Sequence, residues 1–351
     1  MNQPYCITYA GRFGYSTKAM NPPPAETPSN VIQFSLTEGC SHHKCTFCDM
    51  YGQQDYSIKT EKDFKEHVDL VISHLHQNEH SSLKEIDRLF IGGGNALSAP
   101  ADLLNTAAQY ALKKVYRATG HVPRRLTVYG NTNDILRKGD SDLHHLRCGG
   151  TCGDCSMGTF GEKRGVDLIY WGIESGNVDV LEMAGKGYVP SKIIKAFNLL
   201  NENDIKSSVM IIPGLGGIKY SERHIRDTVD ILNRGKPGWI TFIGINASKN
   251  TPYSKLMLQQ EEQGINKSLT PIQIAEQTAK MIEGINFSTT IGVYGSDIHH
   301  FGSNPFPIGH YDTMEVEPFQ IAKLIREQIK KSAKPKINKL EKGLFRDFFN
   351  Y

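Results

Sequence analysis

Six of the seven cysteines of this chain fall into two tight groups of three. Cys40, Cys45 and Cys48 lie in GCSHHKCTFCDMY, with the spacing C-x4-C-x2-C. Cys148, Cys152 and Cys155 lie in RCGGTCGDCSMGTFGEK, with the spacing C-x3-C-x2-C. Thiolates this close in sequence can converge on one inorganic centre. Three ligands on a four-iron cubane leave one iron unclaimed by protein, and an open iron can bind a small molecule. A structural zinc instead takes four ligands in closed coordination, and His42 or His43 would supply the fourth to the first trio. Spacing alone leaves both readings open.

The rest of the composition bounds what such a centre would serve. The chain has 351 residues, with 40 Lys plus Arg against 37 Asp plus Glu, a net charge of +3. That balance speaks against a polyanion-binding protein, and nucleic acid is not expected as a partner. Hydrophobic residues are 39% and charged residues 22%, the usage of an ordinary globular chain with a sizeable core. No run of 18 apolar residues occurs, so no transmembrane helix and no membrane partner are expected. The start, MNQPYCITYAGRFGYSTKAM, lacks the apolar centre of a signal peptide. The expectation is a cytoplasmic protein, whose cysteines serve as metal ligands, redox groups or buried thiols rather than disulfides.

The elements that must position these residues follow from periodicity. Residues 1–30, with Pro22, Pro23 and Pro24, read as an irregular N-terminal extension. Strands are predicted at Val31–Leu36, Arg88–Ile91, Leu126–Tyr129, Asp167–Ile173, Ser207–Ile212 and Trp239–Ile245, each short and rich in β-branched or aromatic residues. Helices are predicted at 61–79, 101–118, 133–146, 190–203 and 221–234. This alternation predicts an α/β fold, a partial (βα)6 TIM-type barrel over 31–250, with its site at the strands' C-terminal ends. A C-terminal cap and tail would cover 251–351, with a helix at 271–285, a strand-like stretch at 288–294 and a final helix at about 315–332.

The first trio sits directly after the first predicted strand. There CSHHKCTFCDMY resembles the cluster loop of radical S-adenosylmethionine (SAM) enzymes. Their commonest spacing is C-x3-C-x2-C, and this loop is one residue longer. Ser-His after the first Cys and Thr-Phe between the last two are similar to a C-x4-C-x2-C branch of that superfamily. That branch is grouped with Elongator-like and anaerobic coproporphyrinogen-oxidase-like members. Over about 31–300, four more segments match in order. Phe47 takes the aromatic position near the SAM adenine. Gly92, Gly93, Gly94 and Asn95, in FIGGGNAL, match the glycine turn that holds the SAM amino group, although many members carry Glu near Asn95. Glu174 and Ser175, in YWGIESG, match the position that contacts the SAM ribose or carboxylate. Ile212, Pro213, Gly214 and Leu215, in MIIPGLGG, match the segment packed against the adenine.

The resemblance implies a 4Fe–4S cluster on Cys40, Cys45 and Cys48, with SAM on the open iron. A reductant such as flavodoxin or ferredoxin would deliver one electron. SAM would split to methionine and a 5′-deoxyadenosyl radical that abstracts hydrogen from a substrate the sequence does not identify. Anaerobic handling is implied. Non-catalytic iron–sulfur, zinc-binding or electron-transfer roles, and a radical SAM tRNA-modifying role, are the alternatives.

The second trio has the commoner spacing but does not follow the first strand, and Asp154 stands where an aromatic is expected. Residues 148–163 read as an insertion. It would hold an auxiliary iron–sulfur cluster or a structural zinc, with Cys6, His144, His145 or substrate as fourth ligand, or else free thiols. Tyr129, Asn131 and Asn246 lie at predicted strand ends and are pocket candidates. His299, His300 and His310, with Tyr294 and Asp297, form a second set.

Overall fold

Short apolar runs alternating with amphipathic stretches become strands and helices in the computed structural model, which describes residues 6–8, 30–51, 55–77, 86–150, 164–294 and 318–333. In chain order the elements are β1 (Cys6–Thr8), β2 (Asn30–Ser35), β3 (Thr37–Glu38), β4 (Ser57–Ile58), α1 (Glu61–Gln77), β5 (Ile86–Gly92), α2 (Ala101–Thr119), β6 (Arg125–Gly130), α3 (Thr132–Cys148) and β7 (Leu168–Glu174). There follow α4 (Val178–Met183), α5 (Pro190–Glu202), β8 (Lys206–Ile211), α6 (Gly217–Gly235), β9 (Trp239–Ile243), α7 (Pro252–Glu262), α8 (Pro271–Glu283), β10 (Thr290–Tyr294) and α9 (Pro318–Ala333).

Local sequence explains the helix starts. At α1 the Asp63 N–H donates to Thr60 Oγ1 at 3.2 Å, and Glu61 and Asp63 place negative charge where the helix dipole favours it. Phe64, Val68, Val71 and Ile72 form its buried stripe. α8 opens with a capping box between Thr270 and Gln273 and with Pro271 at its first position.

The chain divides into two compact units. The first takes the described residues within 1–43, 53–171 and 196–207. In it β1, β2, β5, β6 and β7 pair side by side, all parallel. Ser35 lies beside Gly92 and Gly130 beside Trp171, so the strands' C-terminal ends share one edge. Ile32, Phe34, Leu89, Phe90, Val128 and Ile169 fill its core. Trp171 is fully buried, its indole N–H donating to Thr132 Oγ1 at 3.0 Å.

The second unit takes the described residues within 44–52, 172–195 and 208–351. There β8, β9 and β10 are parallel neighbours. The antiparallel pair β3–β4 is the exception to the parallel rule among the described strands. The fold is therefore α/β, with the alternation of a partial (βα)6 barrel; no closed barrel forms among the described residues. No helix of the described residues is long and apolar enough to cross a membrane.

Two differences from the sequence reading have physical causes. Cys6–Thr8, inside the stretch read as irregular, form a strand because β2 offers its backbone edge as a parallel partner. α4 is too short to show a period, and α7 ends in Gln259, Gln260, Glu261 and Glu262, which blur its stripe. The strand-like stretch expected at 288–294 forms β10, which pairs with β9 along its whole length. The loop 295–310, the tail 334–351 and Cys152 and Cys155 lie outside the described residues.

Candidate functional site

In the first unit the approach to Cys40 is built from two strand ends. β2 leads through β3 and Gly39 to Cys40, while β5 ends at Gly92. A Cβ on Gly93 would lie 2.0 Å from the Thr37 carbonyl oxygen, and one on Gly94 would lie 1.6 Å from that of Gly39. Gly93 also has φ +106°, a region L side chains rarely adopt. In the sequence these glycines match a turn that holds the SAM amino group. In the structure it is the chain's own lead-in to Cys40 that occupies their missing side-chain space.

Asn95 follows directly and is 3% exposed. Its backbone N–H donates to Thr37 Oγ1 at 3.4 Å. Its side-chain amide donates to Ser41 Oγ at 2.7 Å and to the Asp134 carboxylate. A carboxylate only accepts, so the nitrogen must face Asp134 and the orientation of the amide is fixed. Asn95 Oδ1 is then a buried acceptor with no partner among the described residues. Asp134 is held in turn by Arg137 and by its own N–H bonded to Asn131 Oδ1 at 2.9 Å. Sequence reasoning missed Asp134 and Arg137. Their signal was Asn131, an N-cap residue at a strand end followed three positions on by Asp134. Tyr129, by contrast, packs edge-on against Phe90 with ring centres 5.0 Å apart and belongs to the core.

In the second unit, Cys45, Thr46 and Phe47 are clamped by the turn after α4. The Thr46 N–H donates to the Ala184 carbonyl at 3.0 Å and its hydroxyl to the Met183 carbonyl at 2.5 Å. The Thr46 carbonyl accepts from the Tyr253 N–H at 3.0 Å. Phe47 packs in one buried cluster with Ile212, Leu215, Val180, Tyr253 and Met257, with Cys45 against its margin. Two segments far apart in sequence thus share one apolar cluster. Gly214 N–H donates to Gln277 Oε1 at 2.6 Å, and the Pro213 carbonyl accepts from Ile245 N–H at 2.9 Å.

Glu174 ends β7 with φ +61°, strained for a residue with a side chain. It is 7% exposed and meets Lys186 Nζ at 3.0 Å. Burial works against the Lys186 charge, but Glu174, with Tyr188 and Cys45, outweighs it and holds the ammonium well above the ordinary lysine range. Ser175, next to it, is fully buried. It accepts from Asn177 N–H at 3.0 Å and lies 2.8 Å from His224 Nδ1. His224 Nε2 meets the Ile212 carbonyl at 3.1 Å, so that nitrogen carries the proton and Ser175 donates to Nδ1. Burial lowers His224 to about 4, keeping the ring neutral. Lys186 and His224 were not found from sequence, since their partners Glu174 and Ser175 lie 12 and 49 residues away.

Of the cysteines, Cys40 and Cys45 are half-buried, Cys48 is exposed and Cys148 is buried. Cys40 belongs to the first unit, and Cys45 and Cys48 to the second. Among the described residues no three His, Cys, Asp or Glu side chains form a ready-made metal cage. No disulfide consumes any of these thiols, and beside Ser41 in the first unit Asn95 Oδ1 is a buried acceptor without a donor among the described residues. Asn246 is exposed in the loop after β9.

No family model matches the chain, and no curated protein does. Among the solved structures it resembles are some named as radical SAM enzymes. Methylornithine synthase (PylB) superposes with TM-score 0.45 at 13% identity, over 87% of this chain and 82% of that one. The archaeal Methanocaldococcus infernus Elp3 with an N-terminal deletion gives TM-score 0.49 at 13% identity, over 87% of this chain and 63% of that one. The radical SAM methyltransferase TsrM from Kitasatospora setae gives 0.45 at 16%, over 66% of this chain and 39% of that one. The chain therefore spans about two fifths of the length of TsrM.

Proposed function

We propose that this chain is a radical SAM enzyme that carries a 4Fe–4S cluster on Cys40, Cys45 and Cys48. The observation that carries the reading is the placement of the motifs. The cysteine loop leaves β2, and Gly92–Asn95, Glu174–Ser175 and Ile212–Leu215 each stand at the C-terminal end of a parallel strand, where α/β folds place their sites. With SAM bound, the cluster would supply a 5′-deoxyadenosyl radical that abstracts hydrogen from substrate.

The chain's own residues then have defined work. Cys40, Cys45 and Cys48 hold three irons. Asn95 Oδ1 accepts from the SAM amino group, with Asp134 and Ser41 fixing its direction. Glu174, held by Lys186, faces the ribose or carboxylate. Phe47 and the Ile212–Leu215 turn form an apolar wall for the adenine. Ser175 acts inward, through His224, to hold Ile212. SAM, a substrate and a low-potential reductant such as flavodoxin or ferredoxin are its partners, in the cytoplasm.

The test is 5′-deoxyadenosine formation by anaerobically reconstituted protein with SAM and a strong reductant. Formation that disappears in Cys45→Ala supports the reading. An iron-loaded protein whose cluster spin resonance ignores SAM and that yields no 5′-deoxyadenosine overturns it.

A further inference from the structure

Asn95 is almost fully buried in the first unit, and all but one of its hydrogen-bonding atoms are engaged. Its N–H donates to Thr37 Oγ1, and its carbonyl accepts from Ser98 Oγ at 2.5 Å and from Ser98 N–H at 3.1 Å. Both side-chain amide hydrogens are spent, one on Ser41 Oγ at 2.7 Å and one on the Asp134 carboxylate. Oδ1 alone is left without a partner among the described residues. A buried acceptor in that state calls for a donor from a ligand.

The two ends of a carboxamide have nearly the same shape, so its neighbours decide which end faces the ligand. Ser41 does not decide, because a hydroxyl both donates and accepts. Asp134 does, because a carboxylate only accepts. Its side chain is 3% exposed. α3 carries it on one face with Arg137 and Lys138, three and four residues on. Arg137 donates to the Ser98 carbonyl at 3.2 Å, and Lys138 donates to the Ala99 carbonyl. Three side chains of one helix thus grip the turn that carries Asn95.

We propose that Asp134 determines the specificity of this site: acting through Asn95, it selects a protonated amine and rejects a group that cannot donate. Asp134 is a positioning residue, since its carboxylate is spent on Asn95 and Arg137. It fixes Oδ1 outward, so a ligand without a donor leaves a buried acceptor bare. Its negative charge, one hydrogen bond away, favours a donor that is itself positive. Replacing Asp134 with Asn keeps the shape but supplies an amide able to donate to Oδ1. The Asn95 amide can then turn over and present its nitrogen instead. This inference rests on the reading of Asn95 as partner of the SAM amino group.

The test is calorimetric binding of two probes to the full-length, anaerobically reconstituted protein: S-adenosylhomocysteine, and its analogue with hydrogen in place of the α-amino group. Wild type should bind the amine about tenfold tighter or more. In Asp134→Asn that ratio should fall to within about threefold, with iron per chain unchanged. A loss of stability alone would weaken both probes together and leave the ratio as it was. Should Asp134→Asn fail to fold, Asp134→Ser, which also removes the group that only accepts, is read in its place. Equal binding of the two probes by wild type, or a preference that survives the substitution, overturns this inference alone. Binding of neither probe by wild type removes the SAM reading and this inference with it.

Discussion

Replacing Lys186 with Met should destabilise the second unit by about 3–5 kcal/mol, because it strands a charge rather than because it loses a bond. Lys186 and Glu174 face each other at 3.0 Å, with side chains 8% and 9% exposed. At an effective dielectric of about 20, two charges at that separation attract by about 5–6 kcal/mol. Removing both from water costs several kcal/mol per ion, so the intact pair is close to neutral overall. Methionine keeps the stem's volume but leaves the Glu174 carboxylate buried alone. Urea unfolding of Lys186→Met reads the loss directly. Adding Glu174→Gln should then recover most of it, since the stranded charge is gone. Lys186→Met within about 1 kcal/mol of wild type, or a double variant no better than the single one, would refute the argument.

His67 and His224 are both buried and both lowered to about 4, in each case chiefly by burial. Each folds neutral, while the unfolded chain takes up its proton near 6.5. Their stabilisation is therefore whole above pH 6.5, falls as pH drops from 6.5 to 4, and changes no further below that. The loss is about 3 kcal/mol for each ring. A urea midpoint that stays flat between pH 6.5 and 4 contradicts this, and His224→Gln should flatten part of the slope. Gly94→Ala should cost 1–3 kcal/mol or more, since its Cβ would sit 1.6 Å from the Gly39 carbonyl. The iron bound per chain should fall with it, and unaltered iron uptake would count against the packing role of Gly94. Asn95→Leu, which removes the acceptor, should abolish the SAM-induced change in the cluster's spin resonance, and an undiminished change would count against the role of Asn95 Oδ1.

The strand–helix alternation was legible because β-branched runs end at Gly, Asn or Pro, and all six predicted strands appear within about two residues of their expected limits. The cysteine and glycine segments stood out because such residues are grouped tightly, and the structure places Gly92 at the end of β5. What escaped is what depends on partners distant in sequence. Lys186 matters through Glu174, His224 through Ser175, and Asp134 through Asn95. An ordinary lysine, histidine or aspartate carries no mark of such a partner in its own neighbourhood. The purpose of Gly93 and Gly94 was likewise hidden, since a missing Cβ does not say which atoms fill its place.

The hydrogen bonds from Gln109 to the Arg164 carbonyl and from Val166 to the Leu146 carbonyl, beside the end of α3, make this corner of the fold a port. With both ends of the excursion tied down, adding chain between them costs mainly loop-closure entropy. For a flexible connection of about 13 residues that is about 2 kcal/mol, and only about 0.6 kcal/mol more for twice as many. The neighbouring strands and helices need not change to admit what is inserted. Chain can thus be added, exchanged or trimmed at this corner while the parallel strands keep their register.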